Sequence, residues 1–219
     1  MGNFVHHLTG GVVAGAAVGY AASVYAHLPA ADAAAIGLVC TVGSLLPDID
    51  SQESRPNQLL FQTLSAMAPV IVVQRFSAQF RWSTLLLLGA AAYVVVGWGL
   101  RVVFAKLTVH RGIFHSIPMA IVAGAVTFLL APPLLPLERH WLAAAMTLGY
   151  TVHLVIDELF AFVNFEGVRL SPKESFGTAL KFGAPSMMAT IATYLVMGML
   201  LYECWQIDPF ASRLLSLLP

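Results

Sequence analysis

The sequence predicts an all-α, polytopic membrane protein. The prediction depends on two observations, the apolar composition and the repeated long apolar runs. Of the 219 residues, 58% are hydrophobic and 10% are charged, whereas soluble domains average about 25% charged residues. Apolar runs of about 20 residues recur along the whole chain, and an α-helix of about that length crosses the hydrocarbon core of a bilayer. Since no long polar linker separates the runs, we expect one membrane-embedded domain over residues 1–219.

Seven apolar runs are predicted to form membrane helices. In chain order they cover residues 8–26, 30–46, 57–74, 83–104, 117–137, 141–163 and 184–205. The third run contains Gln62 and Pro69, and it is either a kinked span or a re-entrant helix, because proline removes a backbone hydrogen bond that neighbouring protein has to replace. The first two runs are rich in glycine, which favours close contact between helices.

The charge balance argues against binding of DNA or RNA. Eleven Lys and Arg residues stand against eleven Asp and Glu residues, so the chain has no basic surface for a nucleic-acid backbone. Its two cysteines, Cys40 and Cys204, lie in apolar runs outside any metal-type spacing, so a disulfide framework is not expected.

Ionisable side chains in or beside membrane spans are costly, and they therefore indicate function. Four groups of them occur: His6 and His7 before the first run, Leu-Pro-Asp-Ile-Asp at 46–50, His-Arg-Gly-Ile-Phe-His-Ser at 110–116, and His153 with Asp157. The last pair is four residues apart on a helix, so both side chains share one face and suit one ion.

Counting membrane crossings tests whether these four motifs can meet. If all seven runs cross, every motif lies on the same side of the membrane; if the run 57–74 does not cross, the later two motifs lie opposite the first two. The convergence of the motifs therefore favours seven spans. Most Lys and Arg residues in the connections, such as Arg55 and Lys173, fall on the motif side, which the positive-inside rule assigns to the cytoplasm.

The residue types of the motifs predict a metal site. Imidazoles and carboxylates bind zinc, manganese or iron, and the absence of thiolates argues against a finger-type zinc site. The predicted ligands are one of His6 and His7, together with Asp48, Asp50, His110, His115, His153 and Asp157. Because one catalytic zinc needs three protein ligands, we expect one or two divalent transition metal ions, zinc first, with manganese or iron as alternatives.

Two neighbouring metal ions are the usual device for hydrolysing phosphoesters, so the substrate is expected to be phosphorylated or lipid-like. Arg111, next to His110, is predicted to bind its anionic group, and Arg111 and His153 are the predicted catalytic residues. Membrane lipid is the expected partner. A divalent-metal transporter is one alternative, but ligands at span ends and the lack of an evident inverted repeat favour the hydrolase over it. A metal-stabilised scaffold is a further alternative, which the sequence leaves open.

In their order along residues 6–157, the four motifs resemble the YdjM-like family of bacterial inner-membrane, metal-dependent hydrolases. The resemblance implies an inner-membrane protein and a metal-dependent hydrolase, with the motif His and Asp residues as ligands, and it implies no particular substrate. The opening motif of that family usually reads Thr-His, whereas this chain reads Val-His-His. The spacing to Gly10 favours His6 as the ligand.

Overall fold

In a computed structural model, the described part of the chain is helical apart from one short pair of strands, as the composition and the apolar runs predict. The structure describes residues 2–50, 54–102, 114–131, 136–164, 169–170, 180–183 and 186–208. The helices are α1 (Phe4–Tyr25), α2 (Ala30–Gly43), α3 (Arg55–Phe76), α4 (Trp82–Val94), α5 (Ile117–Leu130), α6 (Pro136–Phe162) and α7 (Met187–Ile207). A 3-10 helix, Leu46–Asp50, follows α2, and a π-helical turn, Val95–Leu100, continues α4. Strands β1 (Val163–Asn164) and β2 (Arg169–Leu170) pair antiparallel.

Five of the described helices are long and apolar enough to cross a membrane: α1, α3, α4 with its π-helical turn, α6 and α7. Helices α2 and α5 have 14 residues each, or about 21 Å, and are shorter than the predicted runs. A following proline explains why α2 and α5 each end before the predicted run does. Pro47 has no N–H to bond the Gly43 carbonyl, and Ala131 adopts an extended ψ of 143°, as a residue before a proline commonly does.

The chain divides into two compact units, Met1–Pro47 with Ile113–Pro219, and Asp48–Gly112. In the first unit, α1 packs on α2 and α6, α2 packs on α6, and α5 packs on α6 and α7. Gly15 and Gly37 allow α1 and α2 to touch by their backbones, since a Cβ on Gly37 would lie 2.8 Å from the Gly15 carbonyl oxygen. This is the close contact that the glycine-rich runs predict.

The second unit consists mainly of α3 and α4, which pack along each other. Helix α3 begins at a cap in which the Ser54 hydroxyl accepts the Asn57 N–H at 3.2 Å. The helix continues through Pro69, which lies against Gly89 of α4. The uncertain run 57–74 is therefore part of one continuous helix of 22 residues, a length that suits a crossing.

Candidate metal centre

Three imidazoles and one carboxylate meet inside the first unit, and we refer to them as the His/Asp cluster. Its members are His7 in α1, His115 just before α5, and His153 and Asp157 in α6. Each of them is at most 3% exposed. Buried ionisable groups in an apolar bundle are costly unless they pair with each other or with an ion.

Helix geometry explains how α6 and α1 supply their members. His153 and Asp157 are one turn apart on α6 and share a face. At the start of α1, the Asn3 side chain accepts the His6 N–H at 3.0 Å, and His6 Nδ1 accepts the Asn3 N–H at 3.1 Å. This reciprocal cap holds the His6 ring outside the bundle. The next residue, His7, therefore turns toward α6.

Asp157 lies at the centre of the cluster. Its Oδ1 accepts the Gly2 N–H at 2.9 Å and lies 3.3 Å from His7 Nε2. Its Oδ2 lies 3.8 Å from Nε2 of both His115 and His153, which is too long for a hydrogen bond. Two ligands bound to one zinc ion at about 2.1 Å in tetrahedral geometry would be about 3.4 Å apart. The spacing around Oδ2 is thus closer to that of ligands sharing an ion than to that of hydrogen-bonded partners.

Ser44, at the end of α2, orients two of the histidines. His153 Nδ1 lies 2.8 Å from the Ser44 carbonyl oxygen. A carbonyl only accepts, so Nδ1 carries a proton, and in the neutral ring the Nε2 lone pair is left facing Asp157. The Ser44 hydroxyl donates to the His7 carbonyl at 3.0 Å. The His7 and His153 rings also stack, with centroids 3.7 Å apart and planes 14° apart.

The donor set fits a divalent transition metal ion. The available ligand atoms of His115, His153 and Asp157 all lie within 4.8 Å of one another. Within the described part of the chain, Asp157 Oδ2 is buried without a hydrogen bond, a costly state for a carboxylate oxygen. Imidazole nitrogen and carboxylate oxygen are suitable donors for zinc, manganese and iron. These groups could therefore hold a metal ion.

The predicted site residues are distributed unevenly in the structure. The structure brings His115, His153 and Asp157 together with His7, whereas His6, which the spacing to Gly10 favours, lies outside the cluster. The His6 side chain is exposed and stacks on Phe160 at 4.3 Å, because the α1 cap holds it there.

The remaining predicted residues stay predictions. Asp48 begins the second unit, where the Ser54 hydroxyl donates to its backbone carbonyl at 2.6 Å. The side chain of Asp50 lies outside the described part of the structure, and so do His110 and Arg111.

Sequence reasoning missed three residues that hold the cluster: Ser44 through its carbonyl and its hydroxyl, Gly2 through its amide and Tyr150 through its hydroxyl. The Tyr150 hydroxyl donates to the carbonyl of Phe114, next to His115. Only Tyr150 carries a usable signal, because it stands three residues before His153 and seven before Asp157 on the same helical face. Contacts made by backbone atoms have no such signature.

Comparison with known proteins gives a family and no individual relative. The family model described as YdjM inner membrane protein matches residues 1–215. No curated protein and no solved structure matches the chain.

Proposed function

We propose a function for this chain, which belongs to the YdjM family of inner membrane proteins. In this proposal, the His/Asp cluster is the metal centre of a hydrolase that acts on a phosphoester or lipid-like substrate. The observation that carries the proposal is the buried meeting of His115, His153 and Asp157, with ligand atoms within 4.8 Å of one another. The family match supports a setting in a membrane, and the imidazole and carboxylate donors support a bound metal ion.

Each residue of the cluster has a part in this proposal. His115, His153 and Asp157 are the core ligands, and His7 is a fourth ligand or holds Asp157 through its Nε2, 3.3 Å away. An ion held by these residues would supply Lewis-acid activation of water and electrostatic stabilisation of the transition state. The Ser44 carbonyl keeps His153 in the tautomer that can bind a metal.

The place of the cluster along the helices supports a hydrolase over a transporter. His7 lies in the first turn of α1, His115 precedes α5 by two residues, and Asp157 lies in the last two turns of α6. All three positions are at helix ends, whereas a transporter typically binds its ion near the middle of the spans. At the ends of the membrane helices, a hydrolase can contact the headgroup of an amphiphilic substrate.

Three motif residues outside the described side chains keep the roles that the sequence predicts for them. Asp50 and His110 are proposed as metal ligands, and Arg111 is proposed to bind the anionic group of the substrate, since a guanidinium can hold phosphate oxygens through two hydrogen bonds. We propose zinc as the ion, with the site on the cytoplasmic side according to the positive-inside rule.

The test is a survey of metal content and phosphate release with the purified chain in detergent. After loading with zinc, manganese or iron, the chain should release phosphate from lipid phosphoesters, soluble phosphoesters or both. His115→Ala and Asp50→Ala should each lower metal content and abolish release. His140→Ala is the matched control, because His140 lies in α6 outside the cluster, 3.4 Å from Asp208. Fully loaded protein that releases no phosphate from any of these substrates would contradict the hydrolase.

A further inference from the structure

Tyr150 is a buried tyrosine on the ligand-bearing face of α6. Only 2% of the residue is exposed, and it precedes His153 and Asp157 by three and seven residues, so that the three side chains share one face. Its hydroxyl donates to the backbone carbonyl of Phe114. Helix α6, which carries His153 and Asp157, is thus hydrogen-bonded to the segment that carries His115.

The Phe114 carbonyl also shapes the backbone around His115. It accepts the Ser116 N–H at 3.0 Å, and a bond between residues two apart closes a tight three-residue turn with His115 at its apex. The same oxygen is therefore shared between this turn and Tyr150. Because Tyr150 belongs to helix α6, its hydroxyl fixes the position of the turn around His115 relative to that helix.

We propose that Tyr150 is a positioning residue that sets the place of His115 in the metal centre. His153 and Asp157 are fixed by belonging to one helix, whereas His115 lies in a turn before α5. Its Nε2 is 3.8 Å from Asp157 Oδ2, and a small displacement of the turn would change that separation. Groups that orient a metal ligand through its surroundings commonly contribute 10- to 100-fold to metal affinity. This inference rests on the metal site of the proposed function.

The test compares two tyrosine variants that lose the same type of bond. Tyr150→Phe keeps the ring and removes the bond to the Phe114 carbonyl. Tyr194→Phe is the matched control, because the Tyr194 hydroxyl donates to the Phe182 carbonyl at 2.9 Å, outside the cluster. Co²⁺ alone is titrated into the metal-free full chain in detergent and followed by its visible absorption, which reports ligand geometry.

We expect Tyr150→Phe to bind Co²⁺ about 10- to 100-fold more weakly and to shift its absorption bands. Tyr194→Phe should leave affinity and spectrum unchanged. In a His115→Ala background, Tyr150→Phe should add little to the loss of affinity, because the ligand that it positions is already gone. An additive loss in that background would overturn the positioning role.

The other outcomes separate this inference from the proposed function. If the unmodified chain binds no Co²⁺, the metal site is wrong and the role of Tyr150 is overturned with it. If the chain binds Co²⁺ and Tyr150→Phe binds it equally well with the same spectrum, only the role of Tyr150 is overturned. Recovery of Tyr150→Phe solely as unfolded protein would also overturn that role, because the hydroxyl would then serve the fold and not the ligand.

Discussion

Replacing Asp157 by asparagine should remove the central ligand of the proposed metal centre with little change in shape. The amide oxygen can keep the Gly2 hydrogen bond, which measures 2.9 Å from the carboxylate. The amide nitrogen then takes the place of Oδ2, 3.8 Å from Nε2 of His115 and His153. An amide nitrogen has no lone pair for a metal, and the negative charge of the carboxylate is lost.

The size of the effect follows from the number of ligands. Structural zinc sites bind with about 10–16 kcal/mol, which is about 3 kcal/mol for each of four donors. Since 1.4 kcal/mol corresponds to a factor of ten in Kd, Asp157→Asn should weaken zinc binding by about 100-fold.

The assay is competition for zinc between the purified chain and a chromophoric chelator. Asp208→Asn is the matched control, because Asp208 also faces an imidazole, with its Oδ2 3.4 Å from His140 Nε2, but lies outside the cluster. The control should bind zinc as the unmodified chain does. If Asp157→Asn retained full affinity, Asp157 would not be a ligand and the proposed centre would be wrong.

Three further predictions concern the first helix, the packing of α1 on α2, and the sidedness of the site. His7→Ala should lower metal affinity in the same chelator assay while His6→Ala should not, and the opposite order would restore the choice made from the Gly10 spacing. Gly37→Ala should destabilise the chain by about 1–3 kcal/mol through overpacking, as followed by thermal unfolding, whereas Gly198→Ala, which meets no atom within 4 Å, should be neutral or stabilising; equal effects would contradict the close packing. A cysteine at Lys173 should be labelled from the cytoplasmic side, and labelling by an impermeant reagent from the periplasmic side would refute the predicted orientation.

The helical membrane fold could be predicted because it depends on a simple length rule. A run of about 20 apolar residues has few alternatives to a spanning helix, and this sufficed even for α3, where Pro69 left the prediction open. Apolar composition does not predict the early ends of α2 and α5, because the apolar runs continue past their last residues, Gly43 and Leu130.

The site could be predicted in part. The spacing of His153 and Asp157 predicts that the two side chains share a face, and the structure places both beside His115. The count of crossings stays a prediction. The choice between His6 and His7 depends on the Asn3 cap, which rotates one histidine out and the other in. The Ser44 contacts could not be predicted, because they depend on how closely α1, α2 and α6 approach.

The most direct test of the account is stepwise metal loading of the metal-free chain, with bound metal and phosphate release measured on the same samples. The account predicts that release rises in proportion to bound metal until the His/Asp cluster is full, and that Asp157→Asn shows neither tight binding nor release. Phosphate release that is independent of bound metal, or full metal occupancy without release, would contradict it.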